Sequence, residues 1–173
     1  MAKNILIFTG DGKGKSTAAF GMALRAAGHG QRILILQFMK SDSTTGELVG
    51  FRDKLGVDIR QCGLGFVPKP DHPRYPVHRE AAQNAFVLAN QAMQGGKYDL
   101  LILDEICGAV SCGLIAEMQV LDAVKSARDD LNIVLTGRNA TTAMIEMADT
   151  VTEMVPHKHA LESGISARAG IEF

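Results

Sequence analysis

The stretch "FTGDGKGKST", Phe8–Thr17, decides the fold because it joins a short apolar run directly to a helical pattern. Alternating glycines let successive backbone N–H groups line a concave turn, and a helix N-terminus adds partial positive charge there. The pattern matches the phosphate-binding P-loop G-x-x-x-x-G-K-[ST], with Thr9 at the first glycine position and Gly10 supplying the freedom one residue later. It predicts that Lys15 reaches nucleotide phosphates and that the Ser16 hydroxyl ligates Mg²⁺. The alternative is a flexible turn whose lysines bind nothing.

Apolar runs of strand length alternate with longer helical patterns along the whole chain. The predicted strands are Asn4–Phe8, Arg32–Phe38, Val57–Gln61, Leu100–Leu103, Asn132–Leu135 and Thr150–Val155. The predicted helices are Lys15–Ala27, Val77–Gln94, Leu114–Asp129 and one that Asn139 caps and that runs through Met147. This alternation predicts an α/β fold in which residues 1–173 form a single domain. We expect a doubly wound, mostly parallel sheet of about six strands, similar to P-loop NTPases.

A second stretch with chemical meaning is "LLILDEI", Leu100–Ile106, an apolar strand that ends in two acids. Ligands of open α/β sheets bind at the carboxyl ends of the strands, so Asp104 or Glu105 could hold Mg²⁺ directly or through water. The alternative is that an acid here only stabilises the dipole of a following helix. A P-loop and an acid pair predict a site for a nucleoside triphosphate and Mg²⁺. They leave phosphoryl transfer, nucleotidyl chemistry and a conformational switch all open.

The composition is that of an ordinary globular protein, with 46% hydrophobic and 21% charged residues. A net charge of −1 gives no overall attraction to nucleic acid or to an anionic membrane. No apolar run approaches the ~20 residues that span a bilayer, and the N-terminal apolar stretch is too short for a signal peptide. We therefore expect a cytoplasmic protein. Its three cysteines lack C-x-x-C spacing and are expected to be reduced core residues.

The longer stretch "FTGDGKGKSTAAFGMALRAAGHG", Phe8–Gly30, extends well beyond a P-loop. It resembles the signature of the ATP:corrinoid adenosyltransferases, the P-loop family of cobalamin biosynthesis and salvage, in which Thr at the first P-loop position is usual. Further similar stretches follow in order: "QFMK" (37–40), Gly46-Glu47, "CGLGF" (62–66), "LDE" (103–105), "LTGRNA" (135–140), "ADTVTEM" (148–154) and "HKHALESGISARAGIEF" (157–173). The resemblance implies transfer of the 5′-deoxyadenosyl group of ATP to the Co(I) centre of a corrinoid, with release of triphosphate.

The resemblance also implies which residues form the site. ATP is expected to contact Thr9, Gly10, Asp11, Gly12, Lys13, Gly14, Lys15, Ser16 and Thr17, with Arg25 and Lys40 as further candidates. Ser16, Glu105 and Asp104 are the candidate metal ligands, and Lys15, Phe66 and Arg138 are expected to act in the reaction. A structural salt bridge is the alternative for Arg25. A solvated surface position is the alternative for Lys40 and Arg138.

Phe66 belongs to a segment in which this chain departs from the family. Bacterial members carry a "GFTW"-like run that covers the lower face of the corrin and helps to remove the axial ligand of cobalt. Here the run is Gly65-Phe66-Val67-Pro68, and the chain contains no Trp. Either Phe66 and Tyr75 cover the corrin, or the corrin is held in another way. A core position is the alternative for Phe66.

The resemblance further implies a homodimer and an electron-donating flavoprotein or other reductase as a partner. Two other functions stay open at this stage. One is a P-loop kinase of a small metabolite, although the long loop from Gly65 to Pro76 offers only Arg74 as a lid arginine. The other is a non-catalytic carrier that binds ATP and corrinoid. The sequence does not identify which corrinoid is preferred.

Overall fold

The computed structural model describes residues 3–172, which form a six-stranded sheet with helices on both faces. The strands are β1 (Ile5–Thr9), β2 (Ile33–Gln37), β3 (Asp58–Gln61), β4 (Leu100–Asp104), β5 (Asn132–Thr136) and β6 (Thr150–Glu153). Their order across the sheet is β3-β2-β4-β5-β1-β6, and every neighbouring pair is parallel. The predicted α/β fold with about six strands is confirmed, and the sheet is entirely parallel.

The α-helices are α1 (Lys15–Gly28), α2 (Gly46–Leu48), α3 (Tyr75–Gln94), α4 (Ile106–Ser111), α5 (Glu117–Ser126) and α6 (Thr142–Met147). A π-helical turn, Val49–Lys54, continues α2, and a 3₁₀ turn spans Ala160–Ser163. None of the helices in residues 3–172 is long and apolar enough to cross a membrane.

Two apolar cores cover the two faces of the sheet. Residues of α3, α4, α5 and α6 pack on one face. Phe20 and Ala23 of α1 pack on the other face with Phe51 of the π-helical turn. The central strands β2 and β4 are buried along their whole length, as expected for parallel strands covered on both sides. This arrangement is the doubly wound fold that the sequence predicts.

The helix ends differ from the predictions in two places. The helix predicted at Leu114–Asp129 begins only at Glu117 and ends at Ser126, and the sequence did not reveal α4 before it. Asn139 does not cap α6, because its backbone is left-handed (φ 57°) and its side-chain amide donates to the Ser111 hydroxyl. Thr141 caps α6 instead, and its hydroxyl accepts a hydrogen bond from the Met144 N–H.

Candidate functional site

The glycine turn connects β1 to α1 at the carboxyl edge of the sheet. Gly10 (φ 93°) and Gly14 (φ 116°) adopt left-handed backbone conformations that side chains disfavour, and Gly14 is the N-cap of α1. The first residue of α1 is Lys15, so the helix N-terminus opens directly onto the turn. This is the geometry of an anion-binding loop.

The turn is anchored to the end of β6 and to the segment after β5. The Gly12 N–H donates to the Met154 carbonyl at 2.7 Å, and the Met154 N–H donates to the Thr9 carbonyl at 2.8 Å. The Thr9 hydroxyl accepts a hydrogen bond from the Ala140 N–H at 3.2 Å. A glycine at this position could not make that last contact. The departure from the usual P-loop pattern therefore has a structural role.

The close approach of Met154 predicts that Gly12→Ala destabilises the fold. A Cβ at Gly12 would lie 2.7 Å from the Met154 carbonyl oxygen, and both partners are backbone, so the loop must move. We expect a loss of about 1–3 kcal/mol in the free energy of unfolding, measured by urea denaturation. Gly21→Ala in α1 is the matched control, because a Cβ there meets nothing within 4 Å. It should be neutral or stabilise by up to about 1 kcal/mol, and equal losses in both variants would contradict the prediction.

Three lysines around the turn are occupied by acceptors within the chain. The Lys15 ammonium donates to the carbonyls of Gly10 (2.8 Å) and Gly12 (2.7 Å) and is almost fully buried. The Lys13 ammonium donates to the carbonyl of Ile171 at 2.7 Å, and Lys40 pairs with Glu47 at 2.5 Å. An anion that enters the site can accept hydrogen bonds from the same three lysines in place of these acceptors.

The lysines border a cavity of about 490 Å³. It is lined by the start of α1, by Phe20 and Phe51, and by the Lys40–Glu47 pair. The C-terminal residues 170–172 also line it. The aromatic rings of Phe20 and Phe51 pack edge to face, with centroids 5.6 Å apart. The cavity therefore combines cationic and aromatic side chains.

Asp104 and Glu105 follow β4 at the same edge but have different environments. Asp104 is fully buried, and its Oδ1 accepts a hydrogen bond from the Thr136 hydroxyl at 2.8 Å. Glu105 has a left-handed backbone (φ 65°) that directs it to the cavity, which it lines. Its N–H donates to the same Thr136 hydroxyl at 2.9 Å. One threonine thus fixes the positions of both acids.

The charge balance at the acids fits a divalent cation. Burial and the neighbouring Asp104 raise the pKa of Glu105, although Lys15 and Lys40 oppose the rise. Burial likewise lowers the pKa of Lys15, despite the attraction of Glu105. Burial therefore outweighs the attraction of the nearby lysines at Glu105. Oxygen donors of this kind are the ligands that Mg²⁺ prefers.

The raised pKa of Glu105 predicts that Glu105→Gln stabilises the ligand-free protein at pH 7. Below the ordinary carboxyl pKa, Glu105 is protonated in both the folded and the unfolded chain. As pH rises through the raised folded pKa, the fold must hold a buried charge, so stability falls in that window. Glutamine removes this loss, and we expect a rise in Tm of about 2–4 °C at pH 7, the change that ~1 kcal/mol produces. The rise should vanish near pH 4; a rise independent of pH would contradict the assignment.

The sequence model of the family "ATP:corrinoid adenosyltransferase BtuR/CobO/CobP" matches residues 2–173. A corrinoid adenosyltransferase of Pseudomonas aeruginosa is 38% identical over 98% of this chain and 83% of its own length. One of Escherichia coli K12 is 32% identical over 98% of this chain and 85% of its own length. The chain belongs to the ATP:corrinoid adenosyltransferase family. The predicted family and the predicted enzyme class, a transferase, are confirmed.

Among the adenosyltransferase site residues expected from sequence, Lys40 lines the cavity and Arg138 does not. The Arg138 guanidinium is exposed and lies 3.7 Å from the Asp11 carboxylate, next to the turn. Arg25 is not brought to the turn. It lies in the last turn of α1, on a separate small cavity near Asn4 and His29. Arg25 also forms no ion pair within residues 3–172, so the structural salt bridge considered for it is absent as well.

Phe66 is 95% exposed, which excludes the core position considered for it. Its loop is tied to the segment that carries Lys40, because the Gly65 N–H donates to the Met39 carbonyl and the Gly63 N–H to the Lys40 carbonyl. Tyr75, the first residue of α3, is placed differently, because its hydroxyl donates to the carbonyl of Cys112 at the end of α4. Phe66 is therefore an exposed apolar side chain on a loop that is hydrogen-bonded to the Met39–Lys40 segment.

Sequence reasoning missed several residues that shape the adenosyltransferase site. Gln37 and Thr136 end buried strands, as Asp104 does, so the same signal of a polar residue after an apolar run could have identified them. The contribution of residues 170–172 to the cavity has no such signal, because it depends on a contact between the C-terminus and Lys13. Phe173, the last residue of the C-terminal motif, lies outside the described residues.

Proposed function

We propose that the protein transfers the 5′-deoxyadenosyl group of ATP to the Co(I) centre of a corrinoid and releases triphosphate. The observation that supports this best is the cavity itself, which three lysines and the N-terminus of α1 line. The electron pair of Co(I) attacks the 5′ carbon of the ribose and forms the cobalt–carbon bond. The carbon–oxygen bond to the triphosphate breaks and its electron pair leaves with the triphosphate, so the cobalt becomes formally Co(III).

The chain's own residues stabilise the leaving group. Lys15 leaves the carbonyls of Gly10 and Gly12 and meets the phosphates, while Lys13 and Lys40 leave Ile171 and Glu47. The backbone N–H groups at the start of α1 also stabilise the negative charge of the leaving triphosphate. No general base is required, since the nucleophile is the metal centre. The site therefore needs positive charge and exclusion of water more than proton transfer.

Mg²⁺ is part of this proposal. The residues that would hold the ion are Ser16, Glu105 and Asp104. Hydrogen bonds from Thr136 and Gln37 fix the position of Asp104. When bound, Mg²⁺ supplies positive charge that neutralises part of the triphosphate. The acid pair fits this role because Glu105 lines the same cavity as Ser16 and follows Asp104 directly.

The remaining features of the proposal come from the family. We infer that residues 1–173 act as one domain, that the protein works in the cytoplasm as a homodimer, and that a flavoprotein or other reductase supplies electrons to cobalt. Phe66 and Arg138 are proposed to act in the reaction at the corrinoid side. The kinase and carrier alternatives gain no support from family membership.

An anaerobic assay tests the reaction. Protein, ATP, Mg²⁺ and a chemically reduced corrinoid are mixed, and the absorbance spectrum of an alkyl-cobalt product is recorded. We expect a light-sensitive product together with one equivalent of triphosphate. Release of phosphate or diphosphate without a light-sensitive product would reject the proposal. Product that stays bound without turnover would favour the carrier.

A further inference from the structure

Three neighbouring strands carry a row of polar side chains at their carboxyl ends. Gln37 ends β2 and pairs in register with Asp104 of β4, and Thr136 ends the adjacent strand β5. All three residues are fully buried. Each lies two residues beyond an apolar residue of the core under α1, so the row lies on the α1 face of the sheet. The row therefore lies on the sheet face that α1 covers, and Asp104 is close enough to Lys15 to act on its charge.

The row holds the Asp104 carboxylate at both oxygens. The Thr136 hydroxyl donates to Oδ1 at 2.8 Å, and the Gln37 Nε2 donates to Oδ2 at 3.2 Å. Gln37 is also among the groups whose hydrogen bonds hold the pKa of Glu47 below its ordinary value, after Lys40 and against burial. The amide nitrogen of Gln37 therefore faces carboxylates.

The other end of the Gln37 amide lacks a partner. Its Oε1 is buried and accepts no hydrogen bond from any of residues 3–172. A buried acceptor without a donor is rare and unfavourable, so a native structure that keeps one needs a reason. Rotating the amide by 180° would not help, because it would turn Oε1 toward the Asp104 carboxylate. A donor from outside residues 3–172 would satisfy this oxygen.

We propose that Gln37 is a positioning residue of the metal site, whose Nε2 holds Asp104 while its Oε1 accepts a hydrogen bond from a water molecule bound to Mg²⁺. This inference rests on the proposed function, because it requires the metal. Mg²⁺ in proteins keeps several of its waters, and those waters are strong donors. The groups around a metal site that orient its ligands typically change metal affinity 10–100-fold when they are removed.

The test compares Gln37→Met with Gln61→Met. Gln61 pairs in register with Gln37 on the neighbouring strand β3, and its amide donates to the Thr45 hydroxyl, away from the acids. Mn²⁺ replaces Mg²⁺ as a spectroscopic probe, and its affinity for the protein–ATP complex is measured by electron paramagnetic resonance. We expect Gln37→Met to weaken Mn²⁺ binding about tenfold and Gln61→Met to leave it unchanged.

Two further measurements separate this role from a structural one. ATP affinity without a divalent cation should be unchanged in Gln37→Met. The Tm of the ligand-free variant should change by no more than a few degrees, because loss of the Nε2 donor to Asp104 opposes the gain from removing an unpaired buried acceptor. Unchanged Mn²⁺ affinity, or a fall in Mn²⁺ affinity with a matching fall in the metal-free ATP affinity, would overturn the inference.

Deoxynucleotides test the competing donor, a ribose hydroxyl. If Gln37→Met abolished a preference for ATP over 2′-deoxy- or 3′-deoxy-ATP while Mn²⁺ affinity stayed normal, the metal role would be wrong. None of these measurements uses a corrinoid. Adenosylation by the unchanged protein is scored separately, so failure of this inference is distinguishable from failure of the proposed function.

Discussion

Lys15→Ala is expected to lower kcat/KM for ATP in corrinoid adenosylation by about 10²–10³-fold, the usual effect of removing one donor to a developing anion. The Lys15 ammonium is the most buried cation of the cavity and is held by two carbonyls of the turn. Its burial lowers the pKa of Lys15. A charge in such surroundings stabilises a leaving triphosphate far more than an exposed lysine can.

The measurement is the initial rate of alkyl-cobalt formation with chemically prepared Co(I) corrinoid at varied ATP concentration. Lys125→Ala is the matched control, because that side chain is exposed on α5 and does not line the cavity. It should keep the rate of the unchanged protein. Lys13→Ala should lose less than Lys15→Ala, since Lys13 is exposed.

Loss of the Lys15 side chain also leaves two carbonyls of the turn without their donor, so folding must be checked independently. The Tm and the circular dichroism spectrum of Lys15→Ala serve this purpose, and Lys15→Gln is a second variant that keeps a donor but no charge. If folded Lys15→Ala or Lys15→Gln adenosylates the corrinoid at a rate within about threefold of that of the unchanged protein, the triphosphate does not bind at this turn and the proposed mechanism is wrong.

The sheet could be predicted from sequence because each strand carries its signal locally. Near-continuous apolar runs such as residues 33–36 and 100–103 are typical of strands buried on both faces, and both are strands here. The glycine turn also indicated that a strand, a turn and a helix follow one another in this order. These features are set by neighbours in the chain, so their boundaries were correct to within about two residues.

The missed elements depend on contacts between distant segments. Helix α4 is only six residues long, and it follows a left-handed Glu105 that the Thr136 hydroxyl holds in place. Asn139 satisfies the sequence rule for a cap, but its amide binds Ser111 instead. Such choices are made by tertiary partners, which a linear pattern does not reveal.

The site residues divide in the same way, into those that the local sequence indicates and those that depend on distant contacts. Lys15, Ser16 and Glu105 could be named from motifs, since the turn and the strand end place them at one edge of the sheet. The structural roles of Thr9 and Thr136 could not, because they depend on hydrogen bonds across the fold. Thr9 accepts one from Ala140, and Thr136 bonds to both acids. Arg25 shows the opposite error: it belongs to the extended motif, but ten residues of helix carry it about 15 Å from Lys15.

Phe66→Ala is expected to slow adenosylation about 10–100-fold when the assay starts from Co(II) corrinoid and a reductant. The Phe66 ring is 95% exposed, so it contributes nothing to the core and is available to cover an apolar face of the corrin. Burying a phenylalanine side chain against a ligand contributes about 1.5–3 kcal/mol, which converts to this range. Because the chain has no Trp, no neighbouring indole can replace the ring.

The same variant should lose less when Co(I) is supplied ready-made. If Phe66 helps to remove the axial ligand of cobalt, its effect lies mainly in the reduction step that precedes attack on ATP. ATP affinity and Tm should match those of the unchanged protein, since the ring contacts neither the turn nor the core. Phe66→Leu should recover part of the rate, because it keeps apolar area without the ring, and Val87→Ala on α3 is the exposed control. Equal losses from Co(II) and Co(I) would restrict Phe66 to binding the corrin, and no loss in either assay would show that another surface covers it.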